Sequence, residues 1–348
     1  MTATLPDTMR AIVLEQFGSP EESFKLKNVP TPTPTPGYAI IKVKAFGINH
    51  AEMHMRRGEW AEFMPIIGIE CVGIIVSSLP ATSSSGAALE PGTPVVTLMG
   101  GLGRTINGSY AEYTAAPLTN IVPIPPTLVA QLGWARLGAL PETYATAWTC
   151  LFRNLDLQPG ERLLIRGATS SFGAAAVKLA VHHGAVVSAT SRKAERAEAL
   201  RALGVHEVLL EGTDLSDHLI SEGRKFDKVL ELVGNSTFLG SLKLVRRDGK
   251  LCLAGFLGGL APVEFNPLLQ MASGVHFSFF GSFVFGNEEF PLTDVPLAEI
   301  ADLVASGKLE AEPKRVFDFG ESGVREAHRV MEAAQAAGKM VVVVDSAQ

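Results

Sequence analysis

The residues best suited to chemistry lie in one short turn. Arg166-Gly-Ala-Thr-Ser-Ser-Phe-Gly173 stands between an apolar run at 162–166 and an Ala-rich stretch of helical spacing at 173–183. The pyrophosphate of a dinucleotide needs close approach of the backbone and free N–H groups at a helix N-terminus, and a strand–turn–helix of this kind supplies both. Gly167 permits the tight turn, and Gly173 permits close packing of helix on strand. Ser170 occupies the place of the usual middle glycine, so the fingerprint is incomplete by itself. The repeated alternation of strand and helix around it is what makes dinucleotide binding the better reading.

The end of the next apolar run selects the cofactor. Sites for NAD place an Asp or Glu there for the ribose 2′-hydroxyl, whereas sites for NADP place a cation for the 2′-phosphate. Here the run ends Thr190-Ser-Arg-Lys193, with no acid. Ser191 can donate a hydrogen bond, and Arg192 can meet a phosphate with its planar fork. The alternative is that Arg192 and Lys193 are solvated residues opening a helix. Cations at a helix N-terminus oppose the dipole, which favours a bound phosphate and hence NADPH.

The elements that must position this turn alternate along the chain. Strands are predicted at 162–166, 185–190, 207–210, 228–232, 250–254 and 276–280, with helical segments at 173–183 and 193–203, the latter with an apolar stripe of Ala194, Ala197, Leu200 and Leu203. This pattern means a doubly wound parallel sheet, an α/β fold with right-handed connections. Two further helices are predicted at 131–140 and 144–154. The N-terminal part reads differently, with short Val/Ile/Leu runs at 9–14, 39–45, 73–77, 94–98 and 110–116 separated by Pro and Gly clusters such as Thr31-Pro-Thr-Pro-Thr-Pro-Gly37. Such closely spaced strands suggest a barrel-like antiparallel domain, with residues 81–88 as a surface loop. Amphipathic helices at 296–306 and 323–336 precede a last strand at 340–344, which can return to the first domain. The expectation is a discontinuous catalytic domain, residues 1–126 and 288–348, around a nucleotide-binding domain at 127–287, with a cleft between.

Composition narrows the function classes. The 348 residues carry 30 Lys+Arg against 36 Asp+Glu, a net charge of -6, so no concentrated cationic surface for nucleic acid is implied. Cys71, Cys150 and Cys252 lie far apart, without a C-x-x-C pair, and make neither a disulfide framework nor a four-ligand zinc site unaided. The first ten residues hold no apolar core of a secretory signal, and the most hydrophobic stretch is too short for the roughly 20 residues of a membrane span. A cytoplasmic protein without membrane partners is expected.

Further segments are Gly47-Ile-Asn-His-Ala-Glu-Met-His-Met-Arg-Arg-Gly58, Pro65-Ile-Ile-Gly-Ile-Glu-Cys-Val-Gly73, Asn107-Gly-Ser-Tyr-Ala-Glu-Tyr113, Thr146-Ala-Trp148 and Gly338-Lys-Met-Val341. With them the chain resembles the zinc-independent medium-chain dehydrogenase/reductases, specifically the quinone oxidoreductase or zeta-crystallin-like branch. The resemblance covers essentially the whole chain. It implies a Rossmann domain with a GroES-like β-barrel domain, and no metal. Zinc-dependent members carry Cys, His and usually Cys where this chain has Asn49, Ile69 and Glu142, and Glu70 alone makes no tight zinc site. By the same resemblance, Asn49 lies beside the nicotinamide ribose and substrate, and Thr146 near the nicotinamide. Ser170, Ser171 and Phe172 would offer backbone N–H groups to the pyrophosphate. Gly255, Phe256, Phe283 and Val284 would border the nicotinamide from the ends of the last strands, although Phe283 and Val284 read equally as core or oligomer edge. Some relatives have Tyr at the place of His54, which makes His54 a candidate proton donor, or else a packing histidine. Arg56 is given an ion-pair role.

Without a Lewis acid the oxygen of a simple alcohol is hard to deprotonate, whereas a conjugated acceptor spreads incoming charge onto an oxygen that one donor can stabilise. The expected activity is therefore transfer of hydride from NADPH to a quinone or α,β-unsaturated carbonyl. The acceptor would be small and apolar or aromatic, given Trp60, Phe63, Phe285 and Phe290. A non-catalytic NADPH-binding protein and an enoyl-thioester reductase are the alternatives. The Tyr38-Ala-Ile-Ile-Lys42 spacing of a short-chain dehydrogenase falls on a predicted strand ahead of the nucleotide fold, and a methyltransferase would keep an acid where Ser191 stands. The apolar edge at 275–285 suggests a homodimer.

Overall fold

The computed structural model describes residues 5–78 and 89–344, and the loop expected at 81–88 lies outside them. The chain divides into two compact units, one of residues 1–145 with 282–348 and one of residues 146–281.

In the first unit the strands are β1 (Thr8–Leu14), β2 (Phe24–Pro30), β3 (Tyr38–Ile48), β4 (Glu70–Ser78), β5 (Pro94–Leu98), β6 (Tyr113–Pro117) and β7 (Ile121–Pro123). Helices α1 (Pro20–Ser23), α2 (His50–Arg56), α3 (Pro126–Leu137) and α4 (Pro141–Trp148) intervene or follow. β1 and β2 form an antiparallel pair, and β14-β15-β3-β4-β5-β7 form a larger sheet with β6 on β3, where β14 is Arg315–Asp318 and β15 is Met340–Val343. The sheet is not wholly antiparallel, because β14 runs parallel to β15. The last strand does return as expected, since β15 pairs antiparallel with β3. β3 is buried along most of its length, with Ala39, Ile40, Ile41, Val43, Ala45, Phe46 and Ile48 in the core and only Tyr38, Lys42 and Lys44 half-buried. Tyr38 and Lys42 are simply β3 residues.

The second unit contains β8 (Arg162–Arg166), α5 (Ser171–His182), β9 (Val186–Ser191), α6 (Ala197–Ala202), β10 (Glu207–Leu210), α7 (Leu215–Ser221), β11 (Phe226–Glu231), α8 (Phe238–Leu244), β12 (Val245–Leu253), α9 (Pro267–Gln270) and β13 (His276–Phe279). The chain then re-enters the first unit with α10 (Leu297–Ala305) and α11 (Glu321–Glu332). The six strands pair in parallel in the order β10-β9-β8-β11-β12-β13. Numbered by appearance this is the 3-2-1-4-5-6 order of a doubly wound dinucleotide fold. One of its cores packs Leu164, Val229 and Leu251 of the sheet against Leu219 of α7 and Phe238 and Leu242 of α8.

Several expectations shift. The sequence places the domain changes at 126/127 and 287/288. By packing they fall at 145/146 and 281/282, because α3 lies on β3, β15 and α10. The helix expected at 131–140 starts five residues earlier, at Pro126, and is broken at Gly133, whose φ is +70°. The one at 144–154 ends as a π-helical stretch, Thr149–Asn154. The segment at 193–203 is a 3₁₀ turn, Ala194–Arg196, followed by α6, and of its expected stripe only Leu200 is buried.

Candidate active site

In the second unit the turn after β8 has the geometry its sequence demands. Gly167 adopts φ +84°, a left-handed conformation open to glycine. Its N–H donates to Thr190 Oγ1 on β9 at 3.0 Å. Ser170 caps α5, its hydroxyl oxygen accepting the Gly173 N–H at 3.0 Å and donating to the Gly167 carbonyl at 3.0 Å. A Cβ on Gly173 would lie 2.5 Å from the Gly167 carbonyl oxygen, so helix and strand can approach this closely only with glycine there. The Ser170 N–H is itself turned back onto the Gly167 carbonyl at 3.2 Å. Ser171 and Phe172, in the first turn of α5, therefore carry the N–H groups that lack an intrahelical acceptor, and Ser170 serves as the cap. The cradle fits a pyrophosphate.

At the end of β9, Ser191 is buried, its hydroxyl donating to the Lys193 carbonyl at 2.9 Å and accepting the Lys193 N–H at 3.2 Å. Arg192 is exposed, and no ion pair holds it among the described residues. Lys193 stands 3.9 Å from Glu195 with both side chains mostly in solvent, a pair worth little. Gly255 follows β12 against Leu232, whose carbonyl oxygen would be 2.7 Å from a Cβ. Phe256 is exposed beside Phe279, ring centroids 6.2 Å apart. Thr146 is buried in α4. Phe283 and Val284 are not at the end of a strand. β13 stops at Phe279, and both residues lie in a 3₁₀ turn, Ser282–Val284, that belongs to the first unit.

Beneath the turn is a buried charge network that the sequence reading did not single out. Arg166, at the end of β8, pairs with Glu211, lies 3.9 Å from Glu231, and donates to Ser216 Oγ at 2.9 Å and Ser241 Oγ at 3.1 Å. Glu231 Oε1 accepts the N–H groups of Val233 at 2.8 Å and Gly234 at 3.0 Å. Burial holds the Glu231 carboxyl above its ordinary range despite these donors. The available signal was a charged residue closing each of two apolar strands, at Arg166 and Glu231.

In the first unit the ends of three strands bring Asn49, Glu70 and Lys339 together. Asn49 caps α2, and its backbone N–H donates to Glu52 Oε2 at 2.9 Å, one half of a capping box. Its side-chain Nδ2 donates to Glu70 Oε1 at 2.8 Å, and its Oδ1 accepts from Lys339 Nζ at 2.6 Å. Lys339 Nζ also lies 2.5 Å from Glu70 Oε1. Glu70 Oε2 accepts the Glu142 N–H at 2.7 Å, and Glu52 Oε1 accepts the Ile69 N–H at 3.1 Å. Asn49, Ile69 and Glu142 thus converge, two of them through backbone. Glu70 is a structural hydrogen-bonding residue, and Lys339 is the member the sequence reading missed. Glu52 is fully buried, and burial followed by the neighbouring Glu70 charge pushes its carboxyl up to about 7. Among the described residues no group of three or more His, Cys, Asp or Glu is arranged to hold a metal ion.

His54, in the last turn of α2, sets Nδ1 2.5 Å from Glu59 Oε2. Arg56 is fully buried, paired with Glu332 and donating to the Gly18 carbonyl, all within the same unit. Nearby, Arg104 is stacked between Trp60 and Phe283, 5.6 and 5.9 Å from their ring centroids.

These two arrangements, a dinucleotide cradle and a polar cluster at converging strand ends, define a nicotinamide-dependent oxidoreductase fold. Residues 35–126 match the family described as alcohol dehydrogenase GroES-like domain, and residues 172–299 the one described as zinc-binding dehydrogenase. A quinone oxidoreductase of Mus musculus is 31% identical over 280 residues, covering 78% of this chain and 79% of its own. One from Homo sapiens is 26% identical over 348 residues, covering 98% and 99%. Among solved structures, a mycobacterial protein complexed with NADPH superposes with a TM-score of 0.79 at 24% identity, covering 97% of this chain and 100% of that one. The chain belongs to the medium-chain dehydrogenase/reductases of quinone oxidoreductase type. It is an oxidoreductase with a GroES-like domain and a Rossmann domain of the NAD(P)-binding kind. No helix among the described residues is long and apolar enough to cross a membrane.

Proposed function

We propose that this protein is an NADPH-dependent reductase that transfers hydride to a quinone or α,β-unsaturated carbonyl without a catalytic zinc. The observation that carries this reading is the donor set at Asn49. The places of zinc ligands in related chains hold the Asn49 amide, the sec-butyl side chain of Ile69 and Glu142, and an ammonium already sits on Asn49 and Glu70. NADPH supplies the hydride when bound. The chain's own residues do the rest: the N–H groups of Ser171 and Phe172 receive the pyrophosphate, with Gly167, Ser170 and Gly173 shaping the cradle. Ser191, Arg192 and Lys193 receive the 2′-phosphate, and Thr146, Gly255, Phe256, Phe283 and Val284 border the nicotinamide. Asn49 and His54 serve the acceptor, His54 as proton donor steadied by Glu59.

The acceptor is small and apolar or aromatic, in keeping with Trp60 and Phe283 around Arg104. The protein works as a homodimer through β13, an edge strand with Phe277 and Phe279 exposed, in a unit that also exposes Leu268 and Leu269. Light scattering at the mass of a monomer would remove that part.

The experiment is NADPH oxidation against quinones, 2-enones, enoyl thioesters and aldehydes. Turnover of quinones or enones is the expected result. Turnover of enoyl thioesters alone would make the protein an enoyl-thioester reductase, and tight NADPH binding with no turnover would make it a non-catalytic binder.

A further inference from the structure

The position of Lys339 follows from strand register. Pairing of Met340 with Ile48 across β15 and β3 sets Lys339 beside Asn49. Pairing of Ala45 with Val72 across β3 and β4 carries Glu70 alongside Gly47. Gly47 leaves the space for the pair, since a Cβ there would lie 2.5 Å from Lys339 Cε and 2.7 Å from its Nζ. Lys339 is 7% exposed and Glu70 not at all. A buried Lys–Glu pair seldom gains over apolar packing, so its presence calls for a role other than stability.

The role lies in the Asn49 amide. An ammonium can only donate, and carboxylate oxygens accept, so the amide has one workable orientation. Its Oδ1 faces Lys339 Nζ at 2.6 Å, and its Nδ2 faces Glu70 at 2.8 Å and Glu52 Oε1 at 3.4 Å. A flip would set N–H groups against the ammonium and an oxygen against two carboxyl groups. We propose that Lys339 is a positioning residue which locks Asn49 so that its carbonyl oxygen, rather than its NH₂ group, meets a bound ligand. Both amide hydrogens are committed to carboxyl groups, so Oδ1, held by Lys339 and facing the first turn of α2, is the atom of the amide left to meet a ligand. A group that meets Asn49 must therefore donate, as a hydroxyl does, and the acceptor's own carbonyl oxygen takes its hydrogen bond from another residue. This rests on the placement of Asn49 at the acceptor site.

The test compares wild type, Lys339→Met and the double variant Lys339→Met/Glu70→Gln. The readouts are thermal midpoint, NADPH affinity by cofactor fluorescence, kcat and KM with the best acceptor, and solvent exchange of the Asn49 side-chain amide by NMR. Loss of the lock is expected to lower kcat by about tenfold or more, as misplacement of a positioned group does, with NADPH affinity changed by no more than about threefold. The double variant leaves no unpaired buried carboxylate, so it is expected to regain the midpoint and not kcat. Recovery of kcat together with the midpoint would mean that Lys339 only balances charge, and would overturn the proposal. Wild-type protein that binds NADPH and turns over nothing would defeat the reductase reading alone. The lock would then be judged by the amide, whose exchange should quicken by about tenfold in Lys339→Met, as expected for a lost charge-assisted contact. Unchanged exchange would refute it.

Discussion

Each unit sets a buried cation beside two carboxyl groups near the ends of strands, and the two sites use that set differently. In the second unit Arg166 spreads its guanidinium over Glu211, Ser216 and Ser241, with Glu231 alongside, while Glu231 also receives two backbone N–H groups. Hydroxyl and backbone partners surround the charges, and the result is a brace directly under Gly167. In the first unit Lys339 pairs directly with Glu70 and also holds the Asn49 amide, whose NH₂ group faces Glu70 and Glu52, and Glu52 titrates near neutrality. A braced network holds a loop still. A cluster with a polarised amide and a proton that can come or go is equipped to act on a ligand.

The largest expected effect breaks the brace. Arg166→Met strands Glu211 and Glu231, and the protein should lose about 3–5 kcal/mol of stability in urea denaturation. A loss near that of an exposed pair, below about 1 kcal/mol, would mean that the network does not hold the turn. Next is His54→Gln on the other side of the comparison. It should lower kcat about a hundredfold, the lower range for a general acid, with NADPH affinity unchanged. An unaltered kcat would reduce His54 to a packing residue tied to Glu59. Smaller again, Arg192→Ala should cut the preference for NADPH over NADH about tenfold, the value of one charge-assisted hydrogen bond. Equal KM values for the two cofactors in wild type would remove the 2′-phosphate assignment.

The smallest effect is a slope with pH. His328 is buried, and burial first, then Arg56 and Arg57, hold it down to about 3, so the folded protein stays neutral there while the unfolded chain takes a proton below 6.5. Stability is therefore lost as pH falls from about 6.5 toward 3, by at most about 1.4 kcal/mol per pH unit. Glu52 acts in the opposite sense, because the unfolded carboxyl ionises above 4.5 and the folded one only near 7. Its contribution is lost as pH rises through that interval. Between 4.5 and 6.5 Glu52 opposes the His328 slope, so Glu52→Gln should gain more stability with rising pH than wild type does. Parallel curves for the two proteins would show that Glu52 titrates normally.

Much of the scaffold was legible because it rests on local pattern. The strands at 94–98, 162–166 and 207–210 coincide with β5, β8 and β10. The Gly167 turn could be read because a positive φ and a close approach each demand a particular residue. Less legible were β2, β7 and β14: β7 has three residues, and six of the seven in β2 and all four in β14 are at least partly exposed, so little alternation reports them. Helix α2 is only seven residues long, though Asn49-x-x-Glu52 carried its capping signal. Phe283 read as a strand end because Phe280-Gly281 continues the apolar run past Phe279, where the strand stops. Lys339 was out of reach for a different reason: it meets Asn49 across 290 residues, through a register set by the whole sheet. Arg166 likewise finds its partners on segments 45 to 75 residues away.

The most direct measurement of the central claim is the rate of NADPH oxidation with the best quinone or enone before and after exhaustive chelation. The account predicts an unchanged rate, because Asn49, Glu70 and Lys339 do the work without a metal. A rate abolished by the chelator and restored by zinc would contradict it.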